Sequence, residues 1–154
     1  MNEFGFEELK RKVQSISVSA WRTTSLTVPN NDIIEVPFTE TLWHRGTLWV
    51  IGEPTRLTAP KAGVYSMTAY AQIQANDTGR RETNIRLNGT TVIAEMTRDN
   101  LGASILIRIS LTTEHVMDAG DYVEMRVYQN SGGDLTIRGD LDPYRCRFTM
   151  TKIA

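Results

Sequence analysis

Val64-Tyr65-Ser66-Met67-Thr68-Ala69-Tyr70-Ala71-Gln72-Ile73-Gln74 alternates between two kinds of side chain. Tyr65, Met67, Ala69, Ala71 and Ile73 share one face, and Ser66, Thr68, Gln72 and Gln74 share the other. Successive side chains of an extended chain point to opposite sides, so this stretch reads as a strand with one face in a core. The same period of two recurs on both sides of it. Within Ile16–Val28, Ile16, Val18, Ala20, Leu26 and Val28 oppose Ser17, Ser19, Thr23, Ser25 and Thr27. Thr83, Ile85 and Leu87 share a face in Glu82–Leu87, as do Ile105, Ile107, Ile109 and Leu111 further on. Val123, Met125 and Val127 line one side of Tyr122–Gln129, and Cys146, Phe148 and Met150 do so in the last such run.

Turn residues separate these runs. Asn88-Gly89 stands between two of them, and a two-residue hairpin needs positive φ at both central positions, which Asn and Gly tolerate. Pro60-Lys61-Ala62-Gly63, Asp118-Ala119-Gly120-Asp121 and Ser131-Gly132-Gly133-Asp134 mark further reversals. Short strands, turns about every ten residues and no long interior helix predict an all-β antiparallel sandwich. The absence of an internal repeat excludes a propeller or a solenoid.

Residues 6–14 carry the helical period instead. Leu9, Val13 and Ile16 recur at i, i+4 and i+7, and Glu7–Arg11 and Glu8–Lys12 pair with the acid first. A helix this short is not stable alone in water. Residues 1–16 are therefore expected to be an arm, helical or extended, that seats Phe4, Phe6, Leu9, Val13 and Ile16 on a neighbouring surface. Residues 17–154 form the expected single domain.

Composition narrows the chemistry. Seventeen Lys and Arg against 18 Asp and Glu leave a net charge of −1, which removes the electrostatic reason to expect nucleic acid or an anionic membrane as partner. No run approaches the roughly 20 apolar residues of a membrane-spanning helix. The opening residues mix acids and bases without the apolar stretch of a signal peptide, so synthesis in the cytoplasm is expected. The single cysteine, Cys146, cannot form an intrachain disulfide or a thiolate zinc site. Its alternation in phase with Phe148 and Met150 predicts a buried, inert thiol. His44 and His115 have no nucleophile and carboxylate at a spacing that suggests catalysis. Neither an enzyme nor a cofactor is expected.

Three segments taken in order resemble a known family. Leu57-Thr-Ala-Pro-Lys-Ala-Gly-Val-Tyr65 resembles the apolar-x-x-Pro-x-x-Gly-x-Tyr run that opens a long central strand in the complement-type globular head, a domain shared with the tumour necrosis factor superfamily. Met117-Asp-Ala-Gly-Asp-Tyr-Val123 is similar to that family's Leu-x-x-Gly-Asp-x-Val turn, and Arg145–Ile153 sits where its closing strand comes. Thr78-Gly-Arg-Arg81 through Asn88-Gly89 is similar to versions of the domain found in bacteriophage and bacterial proteins. In the closing segment Arg145, Cys146 and Arg147 depart from the aromatic and small residues common there.

The resemblance implies a jelly roll of about ten strands assembled as a homotrimer. Residues with a second, non-core face of apolar or aromatic character are the expected interface: Val64 and Tyr70 on one strand, and Tyr122, Glu124, Arg126 and Tyr128 on another. The expected role is a bacteriophage virion protein, a capsid decoration or a head or tail fibre module, with capsid or tail proteins as partners of the arm. The alternative is a tip that binds a host-surface receptor or glycan through loops such as Asn76–Arg80 or Gly132–Asp142.

Other motifs carry less. Asp134, Asp140 and Asp142 sit in a Gly-containing loop but match no calcium-loop spacing, and read as turn aspartates. Arg138-Gly139-Asp140 spells an adhesion tripeptide that chance also supplies. Asn76-Asp-Thr and Asn88-Gly-Thr are sequons by pattern and loop residues by context. Trp43 and Trp49 bracket a short segment in which packing is favoured over a sugar platform.

Overall fold

The computed structural model describes residues 15–99, 102 and 104–154. Phe4, Phe6, Leu9 and Val13 of the expected arm lie outside the described residues. Ile16 packs partly on the domain's own core, and its carbonyl accepts the Lys152 N–H at 2.9 Å.

Twelve strands and no helix make up the described chain: β1 Ser17–Trp21, β2 Leu26–Val28, β3 Asp32–Glu35, β4 Glu40–Arg45, β5 Arg56–Thr58, β6 Gly63–Ile73, β7 Arg80–Leu87, β8 Thr91–Asp99, β9 Ile107–Met117, β10 Tyr122–Gln129, β11 Leu135–Ile137 and β12 Arg147–Lys152. In the first sheet the order runs β4-β1-β12-β6-β9, with β11 and then β2 continuing from the far end of β6. In the second, β8, β7 and β10 are followed by β3 and β5, which share the free edge of β10. Every pairing is antiparallel, and the result is a jelly-roll sandwich.

The alternation read from the sequence decides which face is inside. Met67, Ala69, Ala71 and Ile73 from β6, Ile109 from β9 and Phe148 and Met150 from β12 are buried, as are Ile85 of β7 and Val123, Met125 and Val127 of β10. Phe38 and Phe148 meet with ring centroids 6.1 Å apart. The predicted strand Ile16–Val28 is two strands, because Arg22 turns inward between them. It is only 7% exposed, and its guanidinium donates to Thr24 O at 3.0 Å, to Thr24 Oγ1 at 3.3 Å and to Pro37 O.

The motif segments pack on one another at one end of the sandwich. The buried Tyr65 hydroxyl donates to Lys61 O at 2.7 Å, closing the Pro60–Tyr65 turn. Asn88 and Gly89 both take positive φ, 49° and 72°, in the β7–β8 hairpin. Asn88 Nδ2 donates to Asp121 Oδ1 at 2.8 Å, while Asp121 Oδ2 accepts the Asp118 N–H at 2.8 Å. Asp121 is thereby held below the usual carboxylate range, chiefly by the Asn88 hydrogen bond. Ala59 exchanges two backbone bonds with this turn, accepting from Gly120 N and donating to Asp121 O, each at 2.8 Å.

Candidate functional site

The six residues expected at a subunit interface fall on opposite outer faces of the sandwich. Val64 and Tyr70 point outward from β6 in the first sheet, and Tyr122, Glu124, Arg126 and Tyr128 point outward from β10 in the second. The structure therefore does not bring the two groups together.

On β10 the outer face is covered by the chain's own side chains. Glu124, 5% exposed, accepts from Arg86 Nη2 at 3.0 Å and from Thr55 Oγ1 at 3.0 Å, and Arg56 Nε lies 3.7 Å away. Arg86 also reaches Glu35. Arg126 Nε donates to Asn84 Oδ1 at 2.9 Å, and Asn84 donates to Glu82 at 3.1 Å. The Arg56 guanidinium lies 4.1 Å from the Tyr122 ring centroid and that of Arg80 5.3 Å from Tyr128. This lattice satisfies Glu124 without a second subunit.

The outer face of the first sheet is different. Ser19, Thr68, Ser110 and Thr149 place short hydroxyl side chains across β1, β6, β9 and β12, bounded by Trp43, Tyr70 and Arg147, in a shallow groove of about 340 Å³. Ser19 pairs with Thr149, and Thr68 with Thr112, each at 3.0 Å. Arg147 stacks over Tyr70 at 5.7 Å, and Trp43 is 43% exposed. Short side chains between aromatic walls leave this face low enough for another surface to approach the sheet closely.

The remaining candidates are dispersed. Trp21 lies under Arg145, whose guanidinium is 4.5 Å from its ring, and Trp49 Nε1 donates to Pro54 O at 3.2 Å, so the three tryptophans form no common platform. His44 Nε2 accepts the backbone N–H groups of Leu48 at 3.1 Å and Trp49 at 3.4 Å, tying a loop. His115 stands opposite Tyr65 in the β6–β9 ladder. Cys146 is wholly buried, and burial pushes its thiol up to about 12, against the opposing pull of Arg22. Asp134 accepts from Asn30 N, Asp140 from Ser25 Oγ, and Asp142 faces Arg145, so the three aspartates serve three different partners. Among the described residues no three His, Cys, Asp or Glu converge as metal ligands.

Arg138-Gly139-Asp140 is folded back on the domain rather than projected from it. A Cβ on Gly139 would lie 1.9 Å from Thr24 O, so only glycine fits this approach. Arg138 Nε then reaches Asp140 Oδ1 at 3.8 Å, across the mouth of a cleft of about 200 Å³ between β6, β11 and the start of β9. Sequence reading named the Gly132–Asp142 loop as a candidate ligand contact but not this cleft, because Gln72 and Leu106 carry no pattern that joins them to that loop.

One polar residue inside the sandwich also had no signal in the sequence. Arg81 is wholly buried and donates to Thr78 O at 2.9 Å, Arg80 O at 3.2 Å and Asn76 O at 3.3 Å. Its guanidinium thus ties down the Asn76–Arg80 loop from beneath.

No family model matches the chain, and no curated protein does. Solved structures do. Murine APRIL at pH 5.0 superposes with a TM-score of 0.68 at 11% identity, covering 90% of this chain and 99% of that one. The globular domain of zebrafish complement 1qA superposes with a TM-score of 0.57 at 14% identity, covering 90% and 97%. At these identities the likeness shows the fold: the jelly roll of the tumour necrosis factor and complement-type globular domains.

Proposed function

We propose that the protein is a non-enzymatic, homotrimeric structural module of a bacteriophage particle, a capsid decoration or a head or tail fibre component. Its N-terminal segment 1–16 docks on a capsid or tail protein. The observation that carries the assembly is the outer face of the first sheet, where hydroxyl side chains lie low between Trp43 and Tyr70. Tyr70 and Val64 from the expected interface belong to this face. The β10 residues do not: Glu124, Arg126 Nε and the Tyr128 hydroxyl already have partners within the chain. In a closed cyclic trimer each subunit sets this groove against a different surface of its neighbour, so no open end is left. The phage setting follows from the resemblance of Thr78–Gly89 to domains of phage proteins, and a virion is the corresponding location.

Mass measurement tests the assembly. Three chains of 17.4 kDa give about 52 kDa. Tyr70→Glu places a charge in the groove and should yield folded monomers. A wild-type monomer at micromolar concentration overturns the trimer. Deletion of residues 1–15 tests the arm: the trimer should persist while attachment to the particle is lost, and retained attachment refutes docking.

A further inference from the structure

We infer that the cleft between β6, β11 and the start of β9 is a binding subsite for one neutral saccharide ring. It is lined by residues of a single chain, on the outer face of the first sheet beyond Tyr70 toward β11, outside the groove at Trp43 and Tyr70.

Size sets the first limit. At about 200 Å³ the cleft is smaller than the ~300–1,000 Å³ of pockets for drug-sized ligands, which leaves room for a single ring. The lining then selects the chemistry. Two carboxamides, Gln72 and Gln74, two hydroxyls, Ser25 and Thr136, and the facing Arg138 and Asp140 offer both donors and acceptors. Planar carboxylate, carboxamide and guanidinium groups match pairs of adjacent hydroxyls, each of which donates and accepts. Arg138 is paired with Asp140, Arg108 with Gln72 and the Tyr144 ring, and Arg145 with Asp142. Each cation around the cleft thus already has a partner, and a phosphate or carboxylate ligand would also meet the Asp140 carboxylate. Leu106, 42% exposed, is the one apolar side chain in the described lining. It can cover the C–H face of a sugar ring but is too little for an aromatic or lipid ligand.

The lining is also held in place before a ligand arrives. Gln72 is only 2% exposed, and its Oε1 accepts from Arg108 Nε at 3.0 Å. The Arg138 N–H donates to Gln72 O at 2.9 Å, and Gln74 Oε1 accepts from Thr136 N at 3.2 Å. Ser25 Oγ donates to Asp140 Oδ1 at 3.1 Å. Gly139, wedged against Thr24, fixes the spacing of Arg138 and Asp140. A ligand therefore orders few side chains on binding, which favours affinity from a small contact area.

The test is a titration of the isotope-labelled full chain, followed by amide NMR, with the methyl glycosides of glucose, galactose, mannose and N-acetylglucosamine, and with a sugar phosphate as the anionic probe. At least one neutral glycoside should give saturable shifts at residues 24–25, 72–74 and 136–140, with a dissociation constant on the order of 1 mM. Asp140→Ala and Leu106→Ser, both at exposed positions, should each leave the rest of the spectrum in place. Asp140→Ala should weaken binding about tenfold or more. The inference is overturned if no glycoside gives a saturable shift, if Asp140→Ala binds unchanged, if the shifts centre on Trp43 and Tyr70, or if the sugar phosphate binds more tightly than every neutral glycoside.

Discussion

Replacing Glu124 with Gln separates two readings of the β10 outer face. The carboxylate accepts from Arg86 and from Thr55, both at 3.0 Å, and its side chain is only 7% exposed. A carboxamide of the same size keeps one acceptor and turns an NH2 toward the other donor. The amide oxygen stays with Arg86, and the Thr55 hydroxyl can turn to accept from the NH2. Hydrogen bonds to charged groups contribute about 1.5–3 kcal/mol against about 1 kcal/mol for neutral ones, so losing the carboxylate charge weakens each of the two bonds by about 1 kcal/mol. Arg56, whose side chain is 37% exposed, is left out of the sum because solvent screens it. The expected loss is about 2 kcal/mol, equivalent to a fall in Tm of about 4–8 °C for a domain of this length. Urea and thermal unfolding at fixed protein concentration measure it, and mass measurement on the same samples should find the assembly unchanged. A fall below about 1 °C would refute the intrachain lattice as the support of Glu124. Dissociation of the assembly at unchanged stability would return this residue to a subunit contact.

Gly139→Ala would set a Cβ 1.9 Å from a backbone oxygen that cannot swing away, and should cost about 1–3 kcal/mol in urea unfolding. Unchanged stability would show that the 138–140 segment is not wedged there. Cys146 should resist a thiol reagent at pH 8 in the native protein and react fully in denaturant. Its thiol is raised from 9.0 to about 12, so the stability tied to the neutral thiol is complete below pH 9 and lost as pH rises toward 12. Rapid native labelling would contradict this burial. Asp121 is depressed below 3.8, so it adds stability above that pH which is lost as pH falls through its lowered value. Asp121→Asn should therefore make urea midpoints between pH 5 and pH 3 less steeply pH-dependent, and an acid limb as steep as wild type would refute the role.

What the sequence disclosed was the part governed by alternation. β6, β7, β9, β10 and β12 were legible because each has several consecutive residues with one face in the core. β3, β5 and β11, at three or four residues, are too short for a period to show. Arg22 and Arg81 were illegible for another reason. Composition places arginine at the surface, and only the fold supplies the loop carbonyls that make an inward guanidinium tolerable. The expected interface residues fall on two different sheets, since Tyr70 and Tyr128 look alike in a strand pattern; each has an arginine over its ring, and what sets them apart is the hydroxyl groove flanking Tyr70. The cleft at Arg138 escaped because its lining comes from residues 25 to 140, with no local signature.

The place of β12 has a consequence for how the chain reaches this state. The last strand of the described chain lies in the middle of its sheet, with Ser17–Trp21 on one side and Tyr65–Tyr70 on the other. Until Arg147–Lys152 has been synthesised, β1 and β6 both present open ladders, and the core lacks Phe148 and Met150. A nascent chain can build hairpins such as β7–β8 early, but the sandwich closes only when its final segment slots between strands made long before. Such closure over distant contacts is slow and exposes unpaired edges meanwhile. Once made, it locks β1 beside β12, so that release of either opens the same seam.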